Sequence, residues 1–367
     1  MVTIKNRAGM FKYILAFFAK GMIIMKIETI TLNEKRNVTL TAMLQATGGE
    51  FRNVTKRPAV LILPGGGYLY CSDREADPIA FPYLEAGYDA FILRYSTGEH
   101  FAWPNPLDDY DQAMDYIKEK ADEWGVMADK IAVIGFSAGG HLAGAAATMA
   151  KNRPAAVILG YAVLRDDTAH EITEAPSIVD SVDEKTPPCF LFATRTDSVV
   201  PIQNTIDMMS ALNRFDTSYE CHIYDFGPHG FSTADSSLLS KGTLISERAK
   251  NWVSDSIGWL RDVLGDFDET GLSKPVCKAH LTDDGEAWLS LDCSVSRIYG
   301  NPEAVKVIAD TIEIMKKKIE PFSPELSFDD MMRILGKMKL RDLLAERGID
   351  IDRFDEIDEK LSKIPNI

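Results

Sequence analysis

Residues 131–140 read IAVIGFSAGG. The run Ile131–Gly135 has no polar side chain, as in a strand buried on both faces, and a helix-like stretch of small residues, Gly140–Ala150, follows. Between them, Gly135-Phe136-Ser137-Ala138-Gly139 fits G-x-S-x-G in the strand-to-helix setting that raises a serine hydroxyl above a sheet. Glycine suits both outer positions because a side chain there would collide with neighbouring backbone. The pattern predicts a nucleophilic Ser137; a turn without chemistry is the alternative.

A second glycine-rich turn, Pro64-Gly65-Gly66-Gly67-Tyr68, follows the apolar run PAVLILP at 58–64. Backbone N–H groups in such a turn can face the oxyanion that forms when a serine attacks a carbonyl carbon. We predict that Gly66 or Gly67 supplies one such donor, and that Ala138, at the start of the following helix, supplies another. A plain strand-to-helix turn is the alternative for the glycine run.

The acid and the base that activate such a serine are expected later in the chain, in that order. Asp197 follows the apolar run 190–194, and His229 follows a strand-like segment that ends at Asp225. Both therefore lie where parallel sheets place their sites, at the carboxyl ends of strands. The alternatives are a helix N-cap for Asp197 and an ordinary loop histidine for His229. His141 follows shortly after the G-x-S-x-G motif, and it suits packing or hydrogen bonding better than proton transfer. The other histidines have no setting comparable to that of His229: His100, His170, His222 and His280.

Apolar runs of strand length alternate with helical patterns from residue 58 to residue 263. Such alternation predicts an α/β fold with a mostly parallel central sheet and helices on both faces. Residues 26–46 alternate apolar and polar side chains, which predicts paired strands at the start of this domain. The polar, weakly patterned segment 164–187 is a candidate lid or substrate loop.

Three regions are expected along the chain: an N-terminal extension at 1–24, a catalytic domain at 25–265 and a small, mostly helical module at 266–367. The apolar residues of the extension are interrupted by Lys20 and Gly21. This favours a translation start assigned too far upstream, and a weak signal or anchor is the alternative. In the module, 276–281 and 286–292 are predicted as a hairpin joined at Asp283-Asp284-Gly285. Helices are predicted after Asn301-Pro302 and after Ser327, and another is predicted to end at Gly348.

The chain has 367 residues and a formal net charge of −15, which argues against nucleic acid or an anionic membrane as a main partner. Five cysteines without a C-x-x-C pair indicate free thiols rather than a disulfide framework, and hence a reducing, cytoplasmic location. Export is the alternative if the N-terminal apolar segment acts as a signal. No cluster of side chains has clear metal-ligand spacing, so neither a metal nor a cofactor is expected.

Several motifs together resemble the acetyl esterase and acetylxylan esterase-like branch of the α/β-hydrolases. They occur in order between residues 55 and 260: PGGGY, SDREADPIA, AGYDAFILRYS, WPNPLDD, IAVIGFSAGGHLA, TPP, DSVVP and GPHGF. The resemblance implies an α/β-hydrolase fold, a Ser137–His229–Asp197 triad and removal of small acyl groups, chiefly acetyl, from sugars and simple esters without a cofactor. Tyr68, in the first motif, becomes a candidate substrate-binding residue. The C-terminal module resembles small tails appended to some bacterial carbohydrate-active enzymes.

Two other functions remain open on the same scaffold. A serine peptidase of the prolyl-oligopeptidase type shares the fold and the order of the triad, but the chain lacks an N-terminal region large enough for a propeller. A catalytically silent binding protein is disfavoured by the intact set of serine, aspartate and histidine. The expected partner is a small-molecule or glycan ester; homo-oligomerisation is compatible with the sequence.

Overall fold

The computed structural model describes residues 25–170, 173–318, 327–349 and 353–366. The predicted N-terminal extension, 1–24, lies outside the described residues. The chain divides into two compact units, Met1–Ala279 and His280–Ile367. This division falls later than the expected boundary after Gly265, because the backbone of residues 276–279 is bonded to the first unit. The amides of Val276 and Cys277 both donate to the carbonyl of Asp262, and the carbonyl of Ala279 accepts from Ser218.

An eight-stranded sheet forms the centre of the first unit, in the order β1-β2-β4-β3-β5-β6-β7-β8. Strands β1 and β2 form the predicted antiparallel pair, β2 runs antiparallel to β4, and the remaining neighbours are parallel. The predicted, mostly parallel α/β sheet is therefore confirmed. The strands are β1 (Met25–Asn33), β2 (Val38–Gln45), β3 (Arg57–Leu63), β4 (Asp89–Arg94), β5 (Val126–Phe136), β6 (Ala156–Gly160), β7 (Cys189–Thr194) and β8 (Tyr219–Tyr224).

Helices cover both faces of this sheet, as expected for strands without a polar face. Along β3, Ala59, Leu61 and Leu63 belong to one apolar cluster, while Val60 and Ile62 belong to another. The helices at 105–124, 138–148 and 203–214 pack in the cluster that contains Leu61. The helices at 77–85 and 252–264 pack in the cluster that contains Val60, on the other face. The helices of this unit are α1 (Asp77–Glu85), α2 (Asn105–Trp124), α3 (Ala138–Thr148), α4 (Asp166–Ala169), α5 (Gln203–Arg214) and α6 (Trp252–Leu264).

The candidate lid segment, 164–187, contains α4 and a short 3-10 turn, Val179–Ser181. It is anchored at both ends. The amides of Leu164 and Arg165 donate to the Asn204 side chain at 2.8 and 2.9 Å, and Ile178 is buried in the core. A role of its middle part in covering substrate stays a prediction.

The predicted hairpin at 276–281 and 286–292 is wrong. Those residues form no paired strands, because the second segment bonds to distant parts of its own unit: Leu289 donates to the carbonyl of Ile364, and the Leu291 carbonyl accepts from Arg341. A shorter hairpin lies earlier in the chain, where β9 (Phe267–Asp268) pairs with β10 (Gly271–Leu272).

The second unit is built from short helices around an apolar core that includes Leu289, Leu291, Leu343 and Phe354. Two predicted helix starts are confirmed by their caps. The Asn301 side chain accepts from the amides of Glu303 and Ala304, and the Ser327 side chain accepts from Asp330. The helices described here are α7 (Val295–Gly300), α8 (Pro302–Val307), α9 (Ala309–Lys318), α10 (Phe328–Ile334), α11 (Leu340–Glu346) and α12 (Phe354–Leu361).

Candidate active site

Ser137 occupies the turn between β5 and α3, with φ 53° and ψ −118°. A positive φ is strained for a residue with a side chain and persists only where the surroundings fix it. A Cβ on Gly135 would lie 2.1 Å from the carbonyl oxygen of Gly139, and a Cβ on Gly139 would lie 2.1 Å from that of Leu63. Both outer glycines of the motif are therefore required by close backbone packing, and the strained serine is held between them.

Ser137, His229 and Asp197 meet at the carboxyl ends of β5, β8 and β7. His229 Nε2 lies 2.8 Å from Ser137 Oγ, and His229 Nδ1 lies 2.7 Å from Asp197 Oδ2. The Asp197 carboxylate is fully buried, while 16% of the His229 side chain is exposed. The three predicted residues thus form one continuous chain of hydrogen bonds with its serine end at the turn.

Asp197 is fixed from its other side by the backbone. Its Oδ1 accepts from the amides of Val199 and Val200 at 2.8 and 2.9 Å. It is not the N-cap of α5, which is Ile202. Because an ionised carboxylate can only accept, the imidazole proton belongs on Nδ1, which leaves Nε2 to accept from the serine hydroxyl.

The glycine-rich turn lies against the serine. A Cβ on Gly65 would lie 3.0 Å from the Cβ of Ser137. Gly66 and Gly67 have φ values of 130° and 62°, and a Cβ on Gly66 would lie 2.1 Å from the carbonyl oxygen of Tyr70. Within the described ranges, no protein group accepts from the amides of Gly66, Gly67 or Ala138. These amides can therefore serve an oxyanion, as the sequence predicts.

The expectation that Tyr68 binds substrate needs correction, because its side chain is buried at 1% exposure. The ring packs edge-on against Tyr95, and the hydroxyl lies 2.9 Å from His141 Nδ1. His141 is itself buried, as its predicted packing role requires, and burial lowers its pKa to about 4. Leu69 and Tyr70, directly after Tyr68, are 70% and 62% exposed instead. The Tyr70 ring atom Cδ2 would lie 3.3 Å from a Cβ on Gly66, which places this exposed ring beside the glycine turn.

Two residues near the site were missed by the sequence interpretation. Tyr161 directly follows β6, and its ring lies edge-on to His229 with 5.1 Å between centroids. Glu75 is 3% exposed and bonds both to Gly65 and to Tyr161. The rule that sites lie at the carboxyl ends of strands could have found Tyr161, since it follows its strand as Asp197 and His229 follow theirs. Glu75 gives a weaker signal, an acidic residue ten positions after a glycine turn.

Among the residues that the structure describes, no group of three histidine, cysteine, aspartate or glutamate side chains could hold a metal ion. No helix in those same ranges is long and apolar enough to cross a membrane. The five cysteines are free thiols.

A mostly parallel sheet with helices on both faces, and a strained serine at the turn from β5 into α3, define the fold of an α/β hydrolase. Residues 51–154 match the BD-FAE family model. A crystal structure of an α/β-hydrolase enzyme from a Medee basin deep-sea metagenome library is 43% identical, with a TM-score of 0.61, over 65% of this chain and 98% of that one. The chain belongs to the α/β-hydrolase family and is similar to its acetyl esterase and acetylxylan esterase-like branch.

Two curated relatives extend this similarity. Endo-1,4-beta-xylanase B of Butyrivibrio fibrisolvens is 30% identical over 217 residues, which cover 50% of this chain and 34% of the relative. An acetylxylan esterase of Xylanibacter ruminicola is 27% identical over 196 residues, which cover 47% of this chain and 41% of the relative. The chain thus matches less than half the length of either.

Proposed function

We propose that this protein is a serine carboxylic ester hydrolase that removes small acyl groups, chiefly acetyl, from carbohydrate. The observation that carries the proposal is the chain of hydrogen bonds from Ser137 Oγ through His229 to Asp197, at 2.8 and 2.7 Å. A serine hydroxyl alone is a weak nucleophile, and a base at hydrogen-bond distance, oriented by a third group, is what activates it. The similarity to an acetylxylan esterase supports the choice of acyl group.

The reaction has two halves. His229 Nε2 takes the proton of Ser137 while Oγ bonds to the carbonyl carbon, and the same proton then passes to the departing alcohol oxygen as the ester C–O bond breaks. Water next attacks the acyl-serine, giving its proton to His229, and the acid leaves as Ser137 regains a proton. Asp197 stabilises the imidazolium in both halves. Amides of Gly66 or Gly67 with Ala138 stabilise each oxyanion, and one such donor is typically worth about 3 kcal/mol.

The carbohydrate half of the proposal is supported by the exposed ring of Tyr70 beside the glycine turn. An aromatic face that is open to solvent suits the apolar face of a sugar ring. The tyrosine ring is flat and large, so it offers wide contact area at a low cost in conformational entropy. A short acyl group attached to a sugar would then bring its carbonyl to Ser137 with the sugar toward Tyr70.

A panel of p-nitrophenyl esters from acetate to octanoate, acetylated xylo-oligosaccharides and a dipeptide amide tests this proposal. We expect turnover to fall from acetate to octanoate, acetate to be released from the oligosaccharide, and the amide to stay intact. The matched pair of variants is Ser137→Ala, expected to lose about a million-fold in kcat, and Ser254→Ala at an exposed serine on α6, expected to match the wild type. Amide cleavage would favour the peptidase alternative, and a folded wild type inert toward every substrate would favour the binding protein.

A further inference from the structure

We propose that Glu75 is a positioning residue, which holds the glycine turn and the His229 loop in their places on either side of Ser137. This role rests on the proposed esterase function. Glu75 lies in a short 3-10 turn, Asp73–Glu75, just before α1, and its side chain bonds to Gly65 and Tyr161 rather than to the triad. It acts through one partner on each side.

The first partner is the glycine turn. Glu75 Oε2 accepts the backbone N–H of Gly65 at 2.9 Å. A Cβ built on Gly65 would lie 2.8 Å from that carboxylate oxygen and 3.0 Å from the Cβ of Ser137. The carboxylate therefore fixes the residue that lies between it and the serine, and so sets where the next two amides, of Gly66 and Gly67, can point.

The second partner is Tyr161, which links Glu75 to the base. The Tyr161 hydroxyl donates to Glu75 Oε1 at 2.6 Å and accepts from the amide of Ser232 at 3.1 Å. Its ring lies edge-on to His229, and Phe231 packs against it at 4.9 Å between centroids. Burial, and next to it the Glu75 charge, raise the pKa of Tyr161 well above its usual value, which keeps the hydroxyl a donor. One carboxylate thus orders both loops.

Stability does not account for a carboxylate at this place. Burying a charge is costly unless it is paired, and within the described ranges no lysine, arginine or histidine forms an ion pair with Glu75. Its two described partners are neutral donors on two different loops, one for each oxygen. In a glutamine, an NH2 group replaces one of the two oxygens, so either the Gly65 amide or the Tyr161 hydroxyl would face a donor instead of an acceptor. A carboxylate, with one acceptor oxygen for each of the two partners, therefore suits the two-sided positioning proposed for Glu75.

The experiment compares Glu75→Gln, Tyr161→Phe and their combination with wild type on p-nitrophenyl acetate. Tyr161→Phe keeps the ring on His229 and removes only the hydroxyl. A displacement of about 1 Å at a site can cost about 100-fold in rate. We expect Glu75→Gln to lower kcat by 10- to 100-fold with KM within about threefold of wild type, and Tyr161→Phe to lower it in the same direction. Since both changes break the connection between Glu75 and Tyr161, the combined variant should be about as slow as the slower single variant, far short of the product of the two losses.

Glu85→Gln, an exposed glutamate at the end of α1, is the matched control and should keep wild-type kcat. Unchanged kcat in a folded Glu75→Gln variant overturns the proposal, as does a rise in KM alone or full multiplication of the two losses. If Glu75→Gln does not fold, Tyr161→Phe decides by itself, and wild-type kcat in that variant overturns the proposal. A wild type that neither hydrolyses the ester nor reacts at Ser137 with a fluorophosphonate overturns the esterase function and the role of Glu75 together; an active wild type isolates failure to Glu75.

Discussion

The two units of this chain bury different kinds of side chain. The first unit encloses ionisable groups, among them Glu75, Asp89, His141 and Asp197. Among the described residues of the second unit, the buried polar side chains are the hydroxyls of Thr282, Ser294 and Thr311, and the Ser294 hydroxyl caps α7. Buried charge is costly, so its confinement to one unit indicates where the chemistry lies. The described interior of the second unit is apolar apart from these hydroxyls.

Of the changes that compare the two units, removing the charge of Asp197 should have the largest effect on kcat. In Asp197→Asn the side-chain oxygen still suits the amides of Val199 and Val200, which turns its NH2 toward His229 Nδ1. Two donors then face each other, so the imidazole proton moves to Nε2 and the base is lost. We expect kcat for p-nitrophenyl acetate to fall by about 10,000-fold. Asp129→Asn, at an exposed aspartate outside the candidate lid segment, is the control; a folded Asp197→Asn variant within tenfold of it would remove Asp197 from the triad.

A cavity in the second unit should lower stability and leave catalysis almost unchanged. Leu343 is fully buried in the core of that unit, and Leu343→Ala should cost it about 2–5 kcal/mol of stability. Ester hydrolysis should stay within about twofold of wild type, since each predicted catalytic residue lies in the first unit. Calorimetry beside a kinetic assay measures both. A large loss of kcat while the first unit remains folded would show that the second unit contributes to the site.

A change at Asp89 should have the smallest effect on activity, since this buried carboxyl takes no part in any proposed step. Burial raises its pKa to about 7, against the lowering effects of the Gln45 amide and of Arg57. Its unfolded pKa is about 3.9, so the folded state holds the proton more tightly. Stability from this group is therefore present below about pH 4 and is lost as the pH rises through about 7.

Urea unfolding of wild type and Asp89→Asn at pH 5 and pH 8 measures this difference. We expect wild type to lose stability relative to the variant between these two pH values, since the asparagine does not titrate. Equal changes in the two proteins would mean that folding does not raise the pKa of Asp89.

The first unit could be predicted well because its signals are local. Strands buried on both faces produce unbroken apolar runs, and β3, β5 and β7 lie where those runs lie. The turn around Ser137 needs glycine for steric reasons that act within a few residues and against one neighbouring strand. The positions of Asp197 and His229 followed from a rule on strand ends, and the structure brings both to Ser137.

What could not be predicted depends on partners far away in sequence. Residues 286–292 have strand-like character, but Leu289 and Leu291 bond to residues 364, 341 and 358 instead of to a neighbouring strand. Tyr68 is conspicuous beside the glycines, yet its ring turns inward to His141. Glu75 bonds to Tyr161, which lies 86 residues later in the chain, and no local sequence pattern predicts that contact. Helix caps such as Asn301 and Ser327 are local, and their prediction is confirmed in the same part of the chain where the predicted hairpin is wrong.

The most direct test of the central claim is covalent labelling of the nucleophile. A fluorophosphonate should add once to wild type, and peptide mass spectrometry should place the adduct on Ser137. The adduct should be absent from Ser137→Ala and should form far more slowly in His229→Ala, because the hydroxyl then has no base. Modification of another residue, or an unmodified Ser137 in a protein that hydrolyses p-nitrophenyl acetate, would contradict the assignment of Ser137, His229 and Asp197.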